Sequence, residues 1–252
     1  MTIKISIVSF RGGTGKTNLT ANLGALFARG SLRVGIMDTD ILSPGLHVLF
    51  ELDEDSQKFT LNDYIWGRCE IAETAYDVTH KLGEAAKGKL FLIPSSIKTA
   101  EIARLLRDEN YNPARITEAF DEISRALELD LLLLDTHPGI NDETAFSMAL
   151  SDVVGLLLRP DFQDYQGTSV ALEIAEKFEV PRVELIVNRT PALFSLEVVK
   201  SKVEEAYQTN VAAVLPHSDP LMALASRSLY VQQYPDDPLT EQFKQIARKL
   251  VS

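Results

Sequence analysis

Arg11-Gly12-Gly13-Thr14-Gly15-Lys16-Thr17 follows an apolar, β-rich run from Ile3 to Ser9. It opens a stretch in which Leu19, Leu23, Leu26 and Phe27 fall on one helical stripe. Strand, glycine loop and helix in this order allow a backbone to wrap closely around phosphate oxygens. The glycines let N–H groups turn inward, and the helix adds its positive N-terminal end. In such a loop Lys16 reaches the β- and γ-phosphates and the Thr17 hydroxyl ligates Mg²⁺. A glycine-rich turn with a solvated lysine is the bland alternative. It does not account for Gly-Gly-x-Gly-Lys-Thr standing between a strand and a helix. The general phosphate-loop pattern has another glycine where this chain has Phe10, so the loop is a variant.

Outward from the loop, strands and helices alternate. A second strand, Arg33 to Asp38, ends in Asp38-Thr39-Asp40. Residues 41–80 are the least regular, with a turn signal at Ser43-Pro44-Gly45 and a short helix expected around Leu61 to Trp66. Leu90 to Pro94 reads as a third strand, and helical patterns fill 98–128. Leu131 to Asp135 is four leucines and an aspartate, the run of a strand buried on both faces. Val153–Leu158, Arg182–Asn188 and Val211–Leu215 read as further strands, with helices over 163–178, 195–208, 219–228 and 239–251. The alternation predicts an α/β fold of the P-loop NTPase kind. Its expected form is one doubly wound, mainly parallel sheet with helices on both faces. No repeat or linker divides the chain, so a single domain over 1–252 is expected.

The 252 residues are 45% apolar and 24% charged, an ordinary globular composition. A net charge of −11 argues against strong sequence-independent DNA binding, which needs clustered Lys and Arg. A dimer could still assemble a local stripe from Arg104, Arg107, Arg115 and Arg125. Cys69 is the only cysteine, which rules out an internal disulfide and a Cys-ligated metal within one chain. His47, His80, His137 and His217 are scattered without metal-ligand spacing. No apolar run reaches the roughly 18 residues of a membrane span, and Met1 leads directly into a strand without a signal peptide. A cytoplasmic protein is expected.

The loop, with a cation just before its glycines, resembles the deviant Walker A box of the MinD/ParA ATPases. The resemblance extends along most of the chain and is weakest over 41–88. Val34-Gly35-Ile36-Met37-Asp38-Thr39-Asp40 resembles the family's second strand and switch I. Leu131–Asp135 with Thr136-His137-Pro138-Gly139 resembles its Walker B strand and switch II. Val187-Asn188-Arg189 falls where the family has a base-contacting Asn, and Leu215-Pro216 precedes the last helices as the family's Leu/Ile-Pro does. The resemblance implies an ATPase that closes as a face-to-face homodimer around two ATP molecules and hydrolyses them slowly. Such a switch recruits or positions a regulatory or cargo protein, as in cell division or in chromosome, plasmid or organelle partitioning.

Site roles follow from the resemblance. Gly12, Gly13, Thr14, Gly15, Lys16, Thr17, Asn18, Asn188, Arg189 and Pro216 would bind ATP. Thr17, Asp40 and Asp135 would hold Mg²⁺. Lys16, Asp40 and Arg11 would be catalytic, with Asp40 aligning the attacking water. Asp38 either assists or binds backbone N–H groups. The family has lysine where this chain has Arg11; that lysine reaches the partner's nucleotide. Arginine can take the role through bidentate phosphate contacts, or Arg11 is a local structural residue.

Two rival functions remain on the sequence. One is a metabolic ATP-dependent ligase of the dethiobiotin-synthase type, which needs a substrate pocket beside the γ-phosphate. The other is a metal-insertion ATPase, whose Cys pair could form only across a dimer. Asn188-Arg189-Thr190-Pro191 lacks the acid that reads guanine in Asn-Lys-x-Asp, so ATP is expected over GTP. Tyr230 and Tyr234 are expected to pack. The stripe Leu239, Phe243, Ile246, Ala247, Leu250 and Val251 is expected to dock on the core rather than anchor to a membrane.

Overall fold

The computed structural model describes residues 1–83, 86–107 and 114–252. The leucine run forms β5 (Leu131–Asp135), and its alternate side chains enter different cores. Leu131 and Leu133 pack with Ile5, Val34 and Ile36 on one face. Leu132 and Leu134 pack with Met37, Ile93 and Phe120 on the other. Each leucine withdrawn from water contributes about 1.5–3 kcal/mol, which is why helices must cover both faces.

Around it the chain runs β1 (Ile3–Val8), α1 (Lys16–Arg29), β2 (Arg33–Asp38), α2 (Leu46–Leu49) and α3 (Leu61–Ile65). Then come β3 (Tyr76–Asp77), β4 (Lys89–Ile93), α4 (Thr99–Arg107) and α5 (Ala114–Ala126). After β5 follow α6 (Asp142–Ala149), β6 (Val153–Leu158), α7 (Phe162–Lys177), β7 (Val183–Thr190) and α8 (Leu196–Tyr207). The chain closes with β8 (Val211–Pro216), α9 (Asp219–Ala223), α10 (Tyr230–Gln233) and α11 (Pro238–Val251). The strands form one eight-stranded sheet in the order β3-β4-β2-β5-β1-β6-β7-β8. Among the described residues only the β3–β4 pair is antiparallel.

This order places the site. β1 lies inside the sheet, with β5, β2 and β4 to one side and β6, β7 and β8 to the other. The direction of winding reverses there, and a crevice opens beyond the strands' C-terminal ends. Register sets Asp135 of β5 beside Asp38 of β2 and Ile7 of β1, so two carboxylates flank the loop leaving β1.

Some sequence expectations change. The third expected strand is the fourth, because Tyr76–Asp77 pairs ahead of it; two residues are too few to show an alternation. The helical patterns over 98–128 take shape as α4 and α5, and residues 108–113 lie outside those described. The expected helix 219–228 stops at Ala223. Ala225 and Ser226 turn left-handed, with φ of 48° and 56°, and α10 begins anew. Burial drives this turn. Tyr230 and Val231 are fully enclosed, and the Val231 N–H donates to Asn22 Oδ1 at 2.9 Å. Tyr230 packs against Tyr234 and Phe243 as expected. Leu239, Phe243, Ile246, Ala247 and Leu250 are buried in the core facing α1, whereas Val251, the last residue of the expected stripe, is exposed because it falls at the end of the helix. Among the described residues no helix is long and apolar enough to cross a membrane.

Candidate functional site

The glycine loop turns through two left-handed residues, Gly13 at φ 74° and Gly15 at φ 100°. At Gly15 a side chain is excluded twice over, since its Cβ would stand 2.7 Å from Asn188 Nδ2. α1 then starts without a side-chain cap, leaving the N–H groups of its first turn for an outside acceptor. Lys16 is only 7% exposed, and its Nζ donates to Ser9 Oγ at 3.0 Å. Ser9 Oγ in turn donates to the Arg11 carbonyl at 2.7 Å. Burial lowers the Lys16 pKa even though Asp135 and Asp40 attract the charge. Among the described residues Lys16 forms no ion pair. The Thr14 hydroxyl beside it is buried with no hydrogen-bond partner among the described residues.

Three carboxylates stand at the ends of β2 and β5, and two of them, Asp135 and Asp40, attract this cation. Asp38 is fully buried. Its Oδ2 accepts from the N–H groups of Gly45 and Leu46 at 3.0 and 3.1 Å, and its Oδ1 from that of Asp40 at 3.2 Å. Of the two roles open to Asp38, these bonds are the backbone-binding one: it shapes residues 40–46. Asp135 accepts from the Thr20 hydroxyl at 3.2 Å, and burial pushes its pKa up to about 6. Asp40 accepts from the Ser43 N–H at 3.1 Å and stands 4.0 Å from His137 Nε2. Burial raises its pKa too, with His137 opposing. Buried carboxylates driven toward neutrality are what a divalent cation would relieve. Among the described residues no three His, Cys, Asp or Glu converge to hold a metal alone. Mg²⁺ keeps several waters and takes phosphate oxygens beside one or two protein ligands. Thr17, Asp135 and Asp40 therefore fit the ion.

A cleft of about 150 Å³ lies beyond the loop, at the ends of β7 and β8. The structure brings Asn18, Asn188, Arg189 and Pro216 together there, and adds Met222 and Ser226, which sequence reasoning missed. Asn188 is already engaged. Its Nδ2 donates to the Thr14 carbonyl at 2.7 Å, and its Oδ1 accepts from the Arg189 N–H at 2.8 Å. Arg11 lies against its own chain's α7. Its Nη1 is 3.4 Å from Asp164 Oδ1 and 3.5 Å from Asp161 Oδ1.

The family model described as an AAA domain matches residues 2–185. An uncharacterized ATP-binding protein of Methanocaldococcus jannaschii is 28% identical over all of this chain and 88% of its own length. The iron-sulfur cluster carrier protein of Pyrococcus furiosus is 23% identical over 99% of this chain and 85% of its own. Among solved structures, the septum site-determining protein MinD of Pyrococcus horikoshii, complexed with Mg-ADP, superimposes with a TM-score of 0.80. It is 20% identical and covers 99% of this chain and 96% of its own. The chain belongs to the MinD/ParA family of P-loop ATPases.

For a MinD/ParA chain, two features of this site lay outside the sequence reading. Ser9, which seats Lys16, follows β1 as an unremarkable strand-end serine; its only signal was adjacency to the loop. Asp164, which meets Arg11, and Arg159, which meets Asp164, stand about 150 residues away in sequence. Their signal was the opposite charges of Arg159, Asp161 and Asp164 at the start of a helix.

Proposed function

We propose that the chain is a cytoplasmic, single-domain ATPase switch that binds Mg-ATP, closes as a face-to-face homodimer and hydrolyses ATP slowly. The dimer recruits or positions a regulatory or cargo protein, and hydrolysis releases it. One observation carries the reading: a buried Lys16 with no ion pair among the described residues, set at an uncapped helix N-terminus opposite Asp40 and Asp135. A triphosphate with Mg²⁺ supplies both missing partners. Gly12 to Asn18 cradle it, Lys16 neutralises charge between its β- and γ-phosphates, and Asp40 orients the attacking water. Thr17, Asp135 and Asp40 would hold Mg²⁺, which would supply neutralising charge to the phosphate oxygens.

The cleft lined by Asn188, Arg189 and Pro216 takes the base, and residues 188–191 offer no carboxylate for guanine. ATP is therefore expected to drive dimerisation and phosphate release where GTP does not. Sedimentation and phosphate assays with each Mg-nucleotide test this. Equal response to the two would remove the adenine assignment. Release without an added acid or amine would also set aside the ligase reading.

A metal-carrier role has support from the Pyrococcus furiosus relative. Cys69 is the chain's only thiol, and it lies apart from the loop in a polar pocket with Tyr64, Arg68 and Arg115. Burial pushes its pKa up to about 11, away from the thiolate that binds metals.

Duplex DNA is expected to bind weakly and salt-sensitively. Arg104 stacks on Trp66 at 4.4 Å, and Arg115 pairs with Glu118 and lies over Tyr64. The stripe that could have offset a charge of −11 is thus partly spent on neighbours. Fluorescence anisotropy with random duplex, with and without ATP, checks this; tight ATP-dependent binding near physiological salt would refute it.

A further inference from the structure

α1 carries the glycine loop at its N-terminus, and a separate cavity opens at its other end, about 20 Å away along the helix. The cavity measures about 590 Å³ and lies between the last turns of α1, the segment after α10, and α11. Leu26, Phe27, Leu32, Val231, Pro235 and Val251 give it apolar walls. Its volume falls in the range of small-molecule sites, roughly 300–1,000 Å³, which combine apolar walls with a few fixed polar groups.

The charges of this cavity are one-sided. Arg29, Lys244 and Arg248 line it against a single carboxylate, Asp236, in a chain whose net charge is −11. Lys244 and Arg248 share Glu241, at 3.2 and 3.3 Å. Arg29 forms no ion pair among the described residues. It stands in the last turn of α1, where its Nη1 donates to the Val231 carbonyl at 3.2 Å and its Nη2 to the Leu82 carbonyl at 3.3 Å. Its Nε–H is buried with no hydrogen-bond partner among the described residues. Burial lowers its pKa, and no described carboxylate acts against that. The C-terminal end of α1 offers the guanidinium only a partial negative charge.

A buried donor left open marks a place for a water, an ion or a ligand oxygen. The guanidinium fork matches the two oxygens of a carboxylate. A small inorganic anion would meet that cation but leave the apolar walls in water, so the matching ligand carries a hydrocarbon tail. We propose that this cavity binds a single-chain aliphatic carboxylate, with its head group on Arg29 and its tail along the apolar walls of α1 and α11. The site is separate from the glycine loop, and the proposal does not rest on the ATP-switch reading.

The test titrates sodium dodecanoate, kept below its micelle concentration, into the full chain by calorimetry. One saturable site per chain is expected. Dodecyltrimethylammonium, with the same tail and the opposite charge, is expected to bind at least about ten-fold more weakly. Arg29→Gln should weaken dodecanoate about ten-fold or more, the scale of one charge-assisted hydrogen bond. Arg29→Lys, which keeps the charge without the fork, should lose less. Arg248→Glu, at an exposed position on the rim, should weaken it about two- to five-fold. Because Arg29 also ties two carbonyls, each variant is melted alongside the wild type. Absence of saturable binding, equal affinity for the two amphiphiles, or wild-type affinity in an Arg29→Gln chain that melts normally overturns the proposal. If Arg29→Gln melts early, Arg248→Glu decides, and unchanged affinity there overturns it. Complete displacement of dodecanoate by Mg-ATP would put the carboxylate in the glycine loop and overturns it as well. So does association with phosphatidylglycerol vesicles without binding of free dodecanoate, which would make this face a bilayer-binding surface.

Discussion

Lys16→Ala is expected to abolish measurable ATP binding while leaving the fold intact. The ammonium is the one cation seated inside the loop, and its removal leaves the phosphates facing Asp40 and Asp135 without a counter-charge. Charge-assisted bonds of this kind contribute about 1.5–3 kcal/mol each, and a buried pair broken on one side costs about 3–5 kcal/mol. The sum corresponds to a loss of at least about a hundred-fold in affinity. Because burial already lowers the Lys16 pKa, the nucleotide-free variant is not expected to be less stable. Calorimetry with Mg-ATP and a thermal melt measure the two halves separately. Unchanged affinity would withdraw the phosphate site.

Arg11→Ala and Asp40→Ala are expected to fail in opposite ways. If Arg11 crosses to the partner's phosphates, its loss leaves monomeric ATP binding nearly normal but keeps the protein monomeric in Mg-ATP, with turnover falling about ten-fold or more. Arg11→Lys recovers part of that, as a point charge without the bidentate fork. Asp40→Ala instead accumulates an ATP-bound dimer, because water is no longer aligned for attack. Light scattering on the three variants distinguishes these outcomes. If Arg11→Ala dimerises as the wild type does, the cation acting in trans must be another. Arg189, exposed at the mouth of the cleft, is then a better candidate than Arg159, which is committed to Asp164.

What could be read in the sequence was whatever repeats over short range. The leucines of β5 announce a strand covered on both faces, and Gly12 to Thr17 announce a phosphate loop, because each pattern is complete within seven residues. Asp38 and Asp135 were legible as strand-end carboxylates, but only register shows that they stand side by side and that Asp38 spends both oxygens on backbone N–H groups. Tyr76–Asp77 was invisible because two residues carry no period, and its place depends on the Tyr76 hydroxyl bridging to Phe59. The break after α9 went unseen for another reason. Ala225 and Ser226 are compatible with a helix, and it is the distant demand of the core for Tyr230 and Val231 that turns the chain. The seat of Arg11 was hidden likewise, since a contact between residues 11 and 164 leaves no local trace.

The bond from Asn188 to the Thr14 carbonyl has a consequence for the order of assembly. It joins residues 174 apart in sequence, and the bond from Thr20 to Asp135 joins residues 115 apart. The glycine loop is written within a single turn of chain, yet its clamp arrives only with β7, the seventh of eight strands. Loop closures of this length come late, because their entropy must be met before the contact returns anything. A chain emerging from synthesis thus carries the whole phosphate motif long before it carries the part that holds the motif in shape. Completion of the sheet, rather than presence of the motif, marks the moment at which the cradle becomes rigid.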